Sequence, residues 1–179
     1  MEKLPHETIK YTRRIFTGRV LNVRRDVAVF PDGKETVREI VEHNGAVAVA
    51  AIDDERNIYL VQQFRYAFGD EFIELPAGKL DTPDEIPLEA AHRELREETG
   101  LRADRMEYLG YICSSIAVCT EKIHLFLARG LHPGETDLDD GEYLNVLVMP
   151  LDELYARAGR GEIRDAKTLG VLTMLLGKV

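Results

Sequence analysis

The run from Arg93 to Leu101, RELREETGL, constrains the fold and chemistry of this chain more than any other segment. It places Glu94, Glu97 and Glu98 at positions i, i+3 and i+4, which share one face of an α-helix. Like charges at this spacing repel each other, so three converging carboxylates favour a bound cation. Mg²⁺ prefers oxygen ligands and often bridges carboxylates to phosphate oxygens. The run therefore predicts a helix in a metal-dependent enzyme acting on a phosphorylated substrate; a solvated acidic face is the alternative.

Composition and charge limit the class of protein. The chain has 179 residues, which suits one domain with a small appendage, and its 45% hydrophobic and 31% charged residues are typical of a packed globule. The net charge of −9 argues against non-specific binding to nucleic acid. It leaves a nucleotide substrate open, because a metal ion can supply the local positive charge.

Cysteine usage and the N-terminal sequence predict a cytoplasmic protein. The two cysteines, Cys113 and Cys119, are too few for a disulfide framework or a zinc site, and we expect them to be buried free thiols. The N-terminal MEKLPHETIKYTRR lacks the apolar core of a signal peptide. No apolar run approaches the roughly 18 residues of a membrane span, so we expect no membrane partner.

Alternation and turn signals predict a small antiparallel β-region ahead of an α/β domain. Residues 9–43 alternate apolar and polar side chains around the Pro31-Asp32-Gly33 turn, and residues 45–52, GAVAVAAI, are typical of a buried strand. The other strands are expected at 20–23, 26–30, 35–42, 58–64, 72–75, 107–113, 122–128 and 143–149, and later helices at 151–159 and 165–177.

The acidic run is expected in a helix over residues 87–99, after a loop over residues 79–86. Pro87 suits the first helical position, where its missing N–H is harmless. Leu88, Ala91 and Leu95 form the expected apolar stripe, and Gly100 is a natural residue to end the helix.

The segment from Gly78 to Leu101, GKLDTPDEIPLEAAHRELREETGL, resembles the Nudix box. That box is written G-x5-E-x7-R-E-U-x-E-E-x-G-U, where U is aliphatic. Glu85 is followed by seven arbitrary residues and then by the run that starts at Arg93, which matches position for position. One position departs from the pattern, since six residues rather than five separate Gly78 from Glu85. The extra residue falls in the loop, where insertions are well tolerated.

The resemblance implies a three-layer α/β/α sandwich with a mixed sheet, and a loop–helix–loop that binds Mg²⁺ or Mn²⁺. It implies hydrolysis of a nucleoside diphosphate linked to another group. Carried onto the matching positions, the metal ligands are expected to be Glu94, Glu98 and the backbone carbonyl of Ala77, with Glu97 as a further or water-mediated ligand. Glu97 and Glu98 are thus the expected catalytic carboxylates of the helix.

The remaining box residues have structural roles by the same resemblance. Arg93 is expected to orient the glutamates through ion pairs rather than to touch substrate. Gly78, Glu85 and Gly100 are expected to shape the loop and the end of the helix.

The resemblance extends from the box to the ADP-ribose pyrophosphatase group. Its marks are the runs Gln63-Phe64-Arg65 and Glu74-Leu75-Pro76-Ala77-Gly78, with residues 38–43, REIVEH, and 165–168, DAKT, as further likenesses. The group implies a homodimer in which an N-terminal β-subdomain, here residues 1–43, is exchanged between subunits. The Nudix domain would then span residues 44–179.

This closer resemblance implies the substrate contacts. Arg65 would hold the diphosphate, where a guanidinium can donate to two oxygens. Arg38 would reach the substrate from the partner subunit, and Glu74 would meet the terminal ribose or a metal-bound water. Glu142, which ends the acidic run 135–142, is the candidate general base or further ligand, and a solvated acidic loop is the alternative.

The expected reaction is Mg²⁺-dependent hydrolysis of ADP-ribose to AMP and ribose 5-phosphate. ADP-ribose enzymes usually carry an S-P-G-x-x-x-E run, but here Ile116 and Ala117 replace the Pro and Gly. Another nucleoside diphosphate sugar, such as GDP-mannose, is therefore the alternative substrate. The N-terminal β-region and the Arg65 motif disfavour an oxidised nucleoside triphosphate. A non-catalytic ADP-ribose sensor is disfavoured by the intact helical glutamates and by the lack of room for a DNA-binding domain.

Overall fold

The computed structural model describes residues 4–138, 141 and 143–179, and these fall into two compact units. The first contains the chain up to Asn44 together with Cys113–Glu121, and the second contains Gly45–Ile112 and Lys122–Val179. Across the described ranges, no helix has the length and apolar character needed to span a membrane.

The first unit is built on an antiparallel sheet of three strands within the described residues, in the order β1-β2-β3. Its strands are β1 (Thr8–Thr17), β2 (Asn22–Val29) and β3 (Glu35–Glu42). The two strands predicted at 20–23 and 26–30 are one strand, because Arg24 and Arg25 continue the pairing with β3. Every residue of β1 is exposed, which leaves its apolar side chains in contact with solvent.

The segment 113–121 lies along β3 in the same unit. The N–H of Val41 donates to the carbonyl of Val118 (2.7 Å), and the N–H of Thr120 donates to the carbonyl of Val41 (2.9 Å). Ile116 and Ala117 form the turn just before these bonds. The segment with the unusual residue pair is therefore joined to the strand that carries Arg38.

The second unit contains a mixed sheet of seven strands and three helices within the part of the chain that is described. Its strands are β4 (Ala46–Ile52), β5 (Asn57–Arg65), β6 (Asp70–Glu74), β7 (Ala77–Lys79), β8 (Arg102–Cys113), β9 (Lys122–His132) and β10 (Leu144–Pro150). Its helices are α1 (Pro87–Thr99), α2 (Leu151–Gly159) and α3 (Ala166–Leu175).

The strand order in this sheet is β10-β5-β4-β9-β8, with β6 beside β5 and β7 beside β4. The central pair β4 and β9 is parallel, whereas β5 is antiparallel to β4, β6 and β10. The prediction of a mixed sheet is confirmed. The short strand β7 was not predicted from the sequence, and β8 begins five residues before the predicted start at 107.

Strand β4 explains the layered architecture. All seven of its residues are buried, and successive side chains of a strand point to opposite faces. One alternate set packs with α2 and α3, and the other packs with α1. The result is the three-layer α/β/α sandwich that was predicted. The first set is Ala46, Ala48, Ala50 and Ile52, and the second is Val47, Val49 and Ala51.

Helix α1 begins and ends as its sequence predicts. Pro87 lies in its first turn, and Gly100 follows it with a φ of 72°, in the left-handed region that suits glycine. A Cβ at Gly100 would also lie 2.6 Å from the carbonyl oxygen of Gly134, so two constraints favour glycine there.

Two burial expectations were wrong. Leu88 is 43% exposed, because the buried face of α1 passes through Ala90, Ala91 and Leu95 instead. Cys113 is exposed and Cys119 is only partly buried, because both lie in or next to the segment at the end of the edge strand β8.

Candidate active site

Two carboxylates lie on the buried face of α1. Glu94 is 9% exposed and Glu98 is 3% exposed, although both are ionisable. Glu98 accepts a hydrogen bond of 2.8 Å from the N–H of Ala77 in β7. A buried carboxylate is costly unless it is paired or binds a metal, so this helix face is built for more than packing.

Gly78 provides the space that Glu94 occupies. A Cβ built on Gly78 would lie 2.0 to 2.3 Å from the carboxylate atoms of Glu94. The glutamate therefore lies directly against the backbone of β7, and any side chain at position 78 would displace it. This contact gives a physical reason for glycine at the start of the box.

Arg93 connects the loop to the acidic helix. Its Nη1 donates to Glu94 (2.7 Å) and Glu97 (3.2 Å), and its Nη2 donates to Glu85 (3.2 Å) and to the carbonyl of Lys79 (3.3 Å). Burial alone lowers the pKa of Arg93, but the surrounding carboxylates outweigh it and raise that pKa. Glu85 thus reaches the helix in spite of the additional loop residue.

Glu97 is only half-buried and faces two arginines. One of its oxygens accepts from Arg93 and the other accepts from Arg96 at 3.0 Å. Within the described residues, no group of three or more His, Cys, Asp or Glu side chains has the arrangement of a complete cation site. The ligand atoms present nevertheless suit a hard cation, because Glu94 and Glu98 offer carboxylate oxygens beside the backbone of Ala77 and Gly78.

Arg65 and Glu74 form a second charged group, at the ends of β5 and β6. The Nε and Nη2 of Arg65 donate to the two oxygens of Glu74, each at 2.7 Å. Glu74 is 2% exposed, and its second oxygen also accepts from Lys167. Burial raises the pKa of Glu74, but the hydrogen bonds and charges of Arg65 and Lys167 outweigh it, so the pKa lies below its usual value.

The N-terminus of α3 holds this group in place. Asp165 accepts from the N–H (2.9 Å) and the hydroxyl (2.6 Å) of Thr168, and from Lys167 at 2.9 Å. The hydroxyl of Thr168 accepts in turn from the N–H of Leu75 at 3.0 Å. No role was predicted for Asp165, Lys167 or Thr168, although their DAKT run was one of the likenesses to the ADP-ribose pyrophosphatase group. A helix-capping aspartate two residues before a lysine was the available signal.

The two charged groups are electrically coupled. The hydrogen bond from Arg65 to Glu74 is the largest cause of the raised pKa of Arg65, and the negative charge of Glu98 contributes as well. Leu75 and Pro76 are the residues between Glu74 and the β7 backbone that donates to Glu98. The guanidinium therefore lies within electrostatic reach of Glu98 on α1.

Arg38 lies in the first unit. Its guanidinium donates to both oxygens of Glu7, at 2.6 and 3.1 Å, and lies 5.8 Å from the ring centre of Phe30. It also lines a cavity of about 670 Å³ together with Ala117. The structure thus places Arg38 at the same cavity as Ala117 of the unusual Ile116-Ala117 pair, two features that the sequence suggested separately. The other lining residues are Arg25, Val37, Glu39 and Val118. The remaining candidate, Glu142, lies outside the described residues.

Comparison with known proteins identifies the family. Residues 42–169 match the NUDIX domain. The chain belongs to the Nudix family and is a Nudix hydrolase. It is similar to a methanol dehydrogenase activator of Bacillus methanolicus, with 39% identity over 94% of this chain and 92% of that protein. It is 38% identical to an ADP-ribose pyrophosphatase of Bacillus subtilis (strain 168), over 94% of this chain and 91% of the relative.

More distant likenesses agree with the fold. A GDP-mannose pyrophosphatase of Cronobacter sakazakii is 33% identical over 77% of this Nudix hydrolase and 76% of the relative. The crystal structure of an ADP compounds hydrolase superposes with a TM-score of 0.85, covering 99% of this chain and 98% of that one at 23% identity. The α/β/α sandwich and the small N-terminal sheet therefore form the fold of a Nudix hydrolase.

Proposed function

We propose that this Nudix hydrolase splits the diphosphate bond of ADP-ribose to give AMP and ribose 5-phosphate. The observation that carries the proposal is the short path between the two charged groups. Arg65 pairs with Glu74, and Ala77, three residues after Glu74, donates its N–H to Glu98. The likeness to an ADP-ribose pyrophosphatase over nearly the whole chain supports the choice of substrate.

The residues on α1 and β7 would hold the metal. Nudix hydrolases generally use divalent cations, and we propose Mg²⁺, with Mn²⁺ as a substitute. Glu94, Glu98 and the carbonyl of Ala77 would be its ligands, with Glu97 as a further or water-mediated one. A bound cation offsets the charge of a diphosphate and lowers the pKa of a bound water. Arg93 would keep Glu94 and Glu97 oriented through the two hydrogen bonds that its Nη1 donates to them.

Arg65 would bind the diphosphate itself. Its Nε and Nη2 donate to Glu74, and its Nη1 makes no hydrogen bond to any residue that the structure describes. The guanidinium is thus held from one side, with a donor left for phosphate oxygens. Direct contact between Glu74 and the terminal ribose stays a prediction, since both Glu74 oxygens already accept from neighbouring cations.

A proton acceptor for the attacking water is still needed. Glu142 stays the candidate base from the sequence, with Glu97 and Glu98 as the other catalytic carboxylates. A base near the reacting water contributes on the order of 100- to 10,000-fold to the rate. A Glu142→Gln variant that keeps full kcat would exclude this role for Glu142.

The proposed assembly is a homodimer in which the first unit completes the site of the partner subunit. Its support is the exposed strand β1, where Ile9, Tyr11, Ile15 and Phe16 are each more than half exposed. Apolar side chains gathered on one strand are typical of a protein–protein contact. Arg38 would then reach the substrate from the partner subunit.

GDP-mannose is the second candidate substrate. It is favoured by the Ile116-Ala117 pair, because the turn that contains this pair lies beside Arg38, at a cavity of the first unit. A relative named as a GDP-mannose pyrophosphatase supports this alternative over three quarters of the chain.

A substrate panel separates these candidates. The purified protein is incubated with Mg²⁺ and ADP-ribose, GDP-mannose, UDP-glucose, NADH or a diadenosine polyphosphate, and the products are resolved by chromatography. We expect AMP from ADP-ribose at the highest kcat/KM. A Glu98→Gln variant is the control, and its undiminished activity would contradict the proposed metal site. If another compound of the panel has a far higher kcat/KM, that compound and not ADP-ribose is the substrate.

A further inference from the structure

We propose that Lys167 is a positioning residue for substrate binding, and that it acts on Arg65 through the buried carboxylate of Glu74. The inference rests on the proposed function, in which Arg65 binds the diphosphate. It gives a role to the DAKT run at the start of α3.

The contacts join three charged side chains into one unit. One oxygen of Glu74 accepts from the Nε of Arg65, and the other accepts from both the Nη2 of Arg65 and the ammonium of Lys167. The side chains of Glu74 and Lys167 are 3% and 12% exposed, whereas that of Arg65 is 41% exposed. Lys167 therefore lies on the buried side of the glutamate, and Arg65 lies on its accessible side.

The backbone fixes Lys167 at that place. It stands in the first turn of α3, directly before the fully buried Thr168. Thr168 accepts from the N–H of Leu75, the residue that follows Glu74. Lys167 and Glu74 thus each directly precede a residue of this hydrogen bond, which joins the backbone after β6 to the side chain of Thr168 and keeps the two charged residues near each other.

The charge balance shows why the lysine matters to an anionic substrate. Arg65 and Lys167 are positive, and Glu74 and Asp165 are negative, so the four side chains are formally neutral together. Without Lys167, the remaining three would carry one net negative charge at the place where a diphosphate has to bind. Among the described residues, Arg65 would also be the only cation left in contact with Glu74, and its guanidinium would be held more strongly by that carboxylate.

A purely structural role for Lys167 predicts something different. Replacing both partners of a buried ion pair by apolar residues often costs no stability, whereas removing one partner leaves a buried charge with less compensation and destabilises the fold. A structural lysine would change the thermal unfolding temperature while KM and kcat of the folded fraction stayed the same. A positioning lysine changes KM more than kcat, because its effect is on substrate binding.

The test compares Lys167→Met with Lys178→Met in steady-state kinetics on the best nucleotide sugar of the panel. Lys178 is a matched control, because it forms an exposed ion pair of 3.0 Å with Glu107 in the same unit. We expect Lys167→Met to raise KM about tenfold while kcat changes less than about threefold. Lys178→Met should match the wild type, and Lys167→Arg should recover part of the lost affinity.

A double-mutant cycle with Glu74→Gln tests whether Lys167 acts on substrate binding through Glu74. If Lys167 acts through Glu74, then adding Lys167→Met to Glu74→Gln should change KM by less than about twofold. This pair of variants leaves no unpaired carboxylate at position 74, so it also serves if Lys167→Met alone does not fold. If Lys167→Met raises KM by the same factor in the Glu74→Gln protein as in the wild type, the proposal is overturned.

Binding of ADP, measured by calorimetry without turnover, separates this proposal from the proposed function. We expect ADP to bind Lys167→Met about tenfold more weakly than the wild type. Equal binding overturns the positioning role, whichever nucleotide sugar is hydrolysed. Absence of hydrolysis by the wild type across the panel contradicts the proposed function, while the difference in ADP affinity still decides the role of Lys167.

Discussion

Arg65 donates two hydrogen bonds of 2.7 Å to Glu74, a carboxylate that is almost completely buried. The sequence predicted these residues as two separate substrate contacts. The structure makes them one coupled unit, in which the fixed geometry of the guanidinium depends on the glutamate. Such two-point pairing orients an arginine more firmly than a single hydrogen bond does.

Replacing Arg65 by Lys should therefore weaken substrate binding although the charge is kept. A lysine cannot donate to both oxygens of Glu74 and to phosphate in the same fixed plane. We expect kcat/KM to fall on the order of 30-fold, mostly through KM. Kinetics of Arg65→Lys check this, with Arg164→Lys as the control, since Arg164 pairs with Asp70 on the surface. An unchanged KM would contradict the assignment of Arg65 to the diphosphate.

The lowered pKa of Glu74 predicts a pH-dependent contribution to stability. The carboxylate stays ionised in the folded state below the usual pKa of 4.5, so its contribution is present above about pH 4.5 and is lost as pH falls through the folded-state pKa. Chemical denaturation of the wild type and of Glu74→Gln, repeated between pH 7 and pH 3, measures this. The difference in unfolding free energy between them should be largest near neutral pH and should shrink in acid. A difference that is constant across this range would contradict the lowered pKa.

The sequence predicted α1 well because the signals that form it are local. Pro87, the spacing of Glu94 and Glu98, and Gly100 lie within one continuous stretch, and each acts on its own turn of the helix. It failed at Leu88, because spacing alone does not fix which side of the first turn meets the sheet.

The network around Glu74 could not be predicted in this way. Lys167 and Glu74 are 93 residues apart, and their contact depends on how α3 packs beside the end of β6. The pairing of Arg65 with Glu74 likewise does not follow from strand register, which puts Arg65 opposite Asp70 and Glu74 opposite Val61. The family resemblance named Arg65 and Glu74 but not Lys167, and tertiary packing decides which of these side chains contact each other.

Gly78→Ala should damage the site without unfolding the protein. The added Cβ would lie about 2 Å from the Glu94 carboxylate, so that side chain has to move away from β7. A displacement near 1 Å can cost about 100-fold in rate, and we expect that loss together with a higher Mg²⁺ concentration for half-maximal activity. Gly159→Ala is the control, because a Cβ there meets nothing within 4 Å. Normal Mg²⁺ dependence in Gly78→Ala would argue against Glu94 as a ligand.

A charge on β1 should disrupt the proposed dimer. Tyr11 is exposed on a strand whose other residues are all exposed as well, so Tyr11→Glu should leave the fold of the subunit intact. If β1 is buried between subunits, burial of an unpaired carboxylate opposes association. Light scattering at micromolar concentration should show a dimer for the wild type and a smaller species for Tyr11→Glu. Leu176→Glu is the control, since Leu176 is exposed in the second unit, and it should remain a dimer. A wild-type monomer would remove the proposed role of Arg38 across subunits.

Restoring Pro and Gly at positions 116 and 117 should shift substrate preference. Ile116 is 88% exposed, and the turn is closed by the N–H groups of Val118 and Cys119, which donate to the carbonyl of Ser115. A proline at 116 therefore costs no apolar burial and leaves both of these bonds intact, while it fixes φ at that residue.

Because Ala117 lines a cavity with Arg38, a reshaped turn should alter the fit of the nucleoside or sugar group. We expect Ile116→Pro/Ala117→Gly to raise the ratio of kcat/KM for ADP-ribose over GDP-mannose about tenfold, a discrimination within reach of small changes in pocket shape. Ile116→Ala is the control for the loss of the isoleucine side chain alone. If the ratio stays the same in the double variant, the turn does not select the substrate, and the preference must come from residues of the second unit.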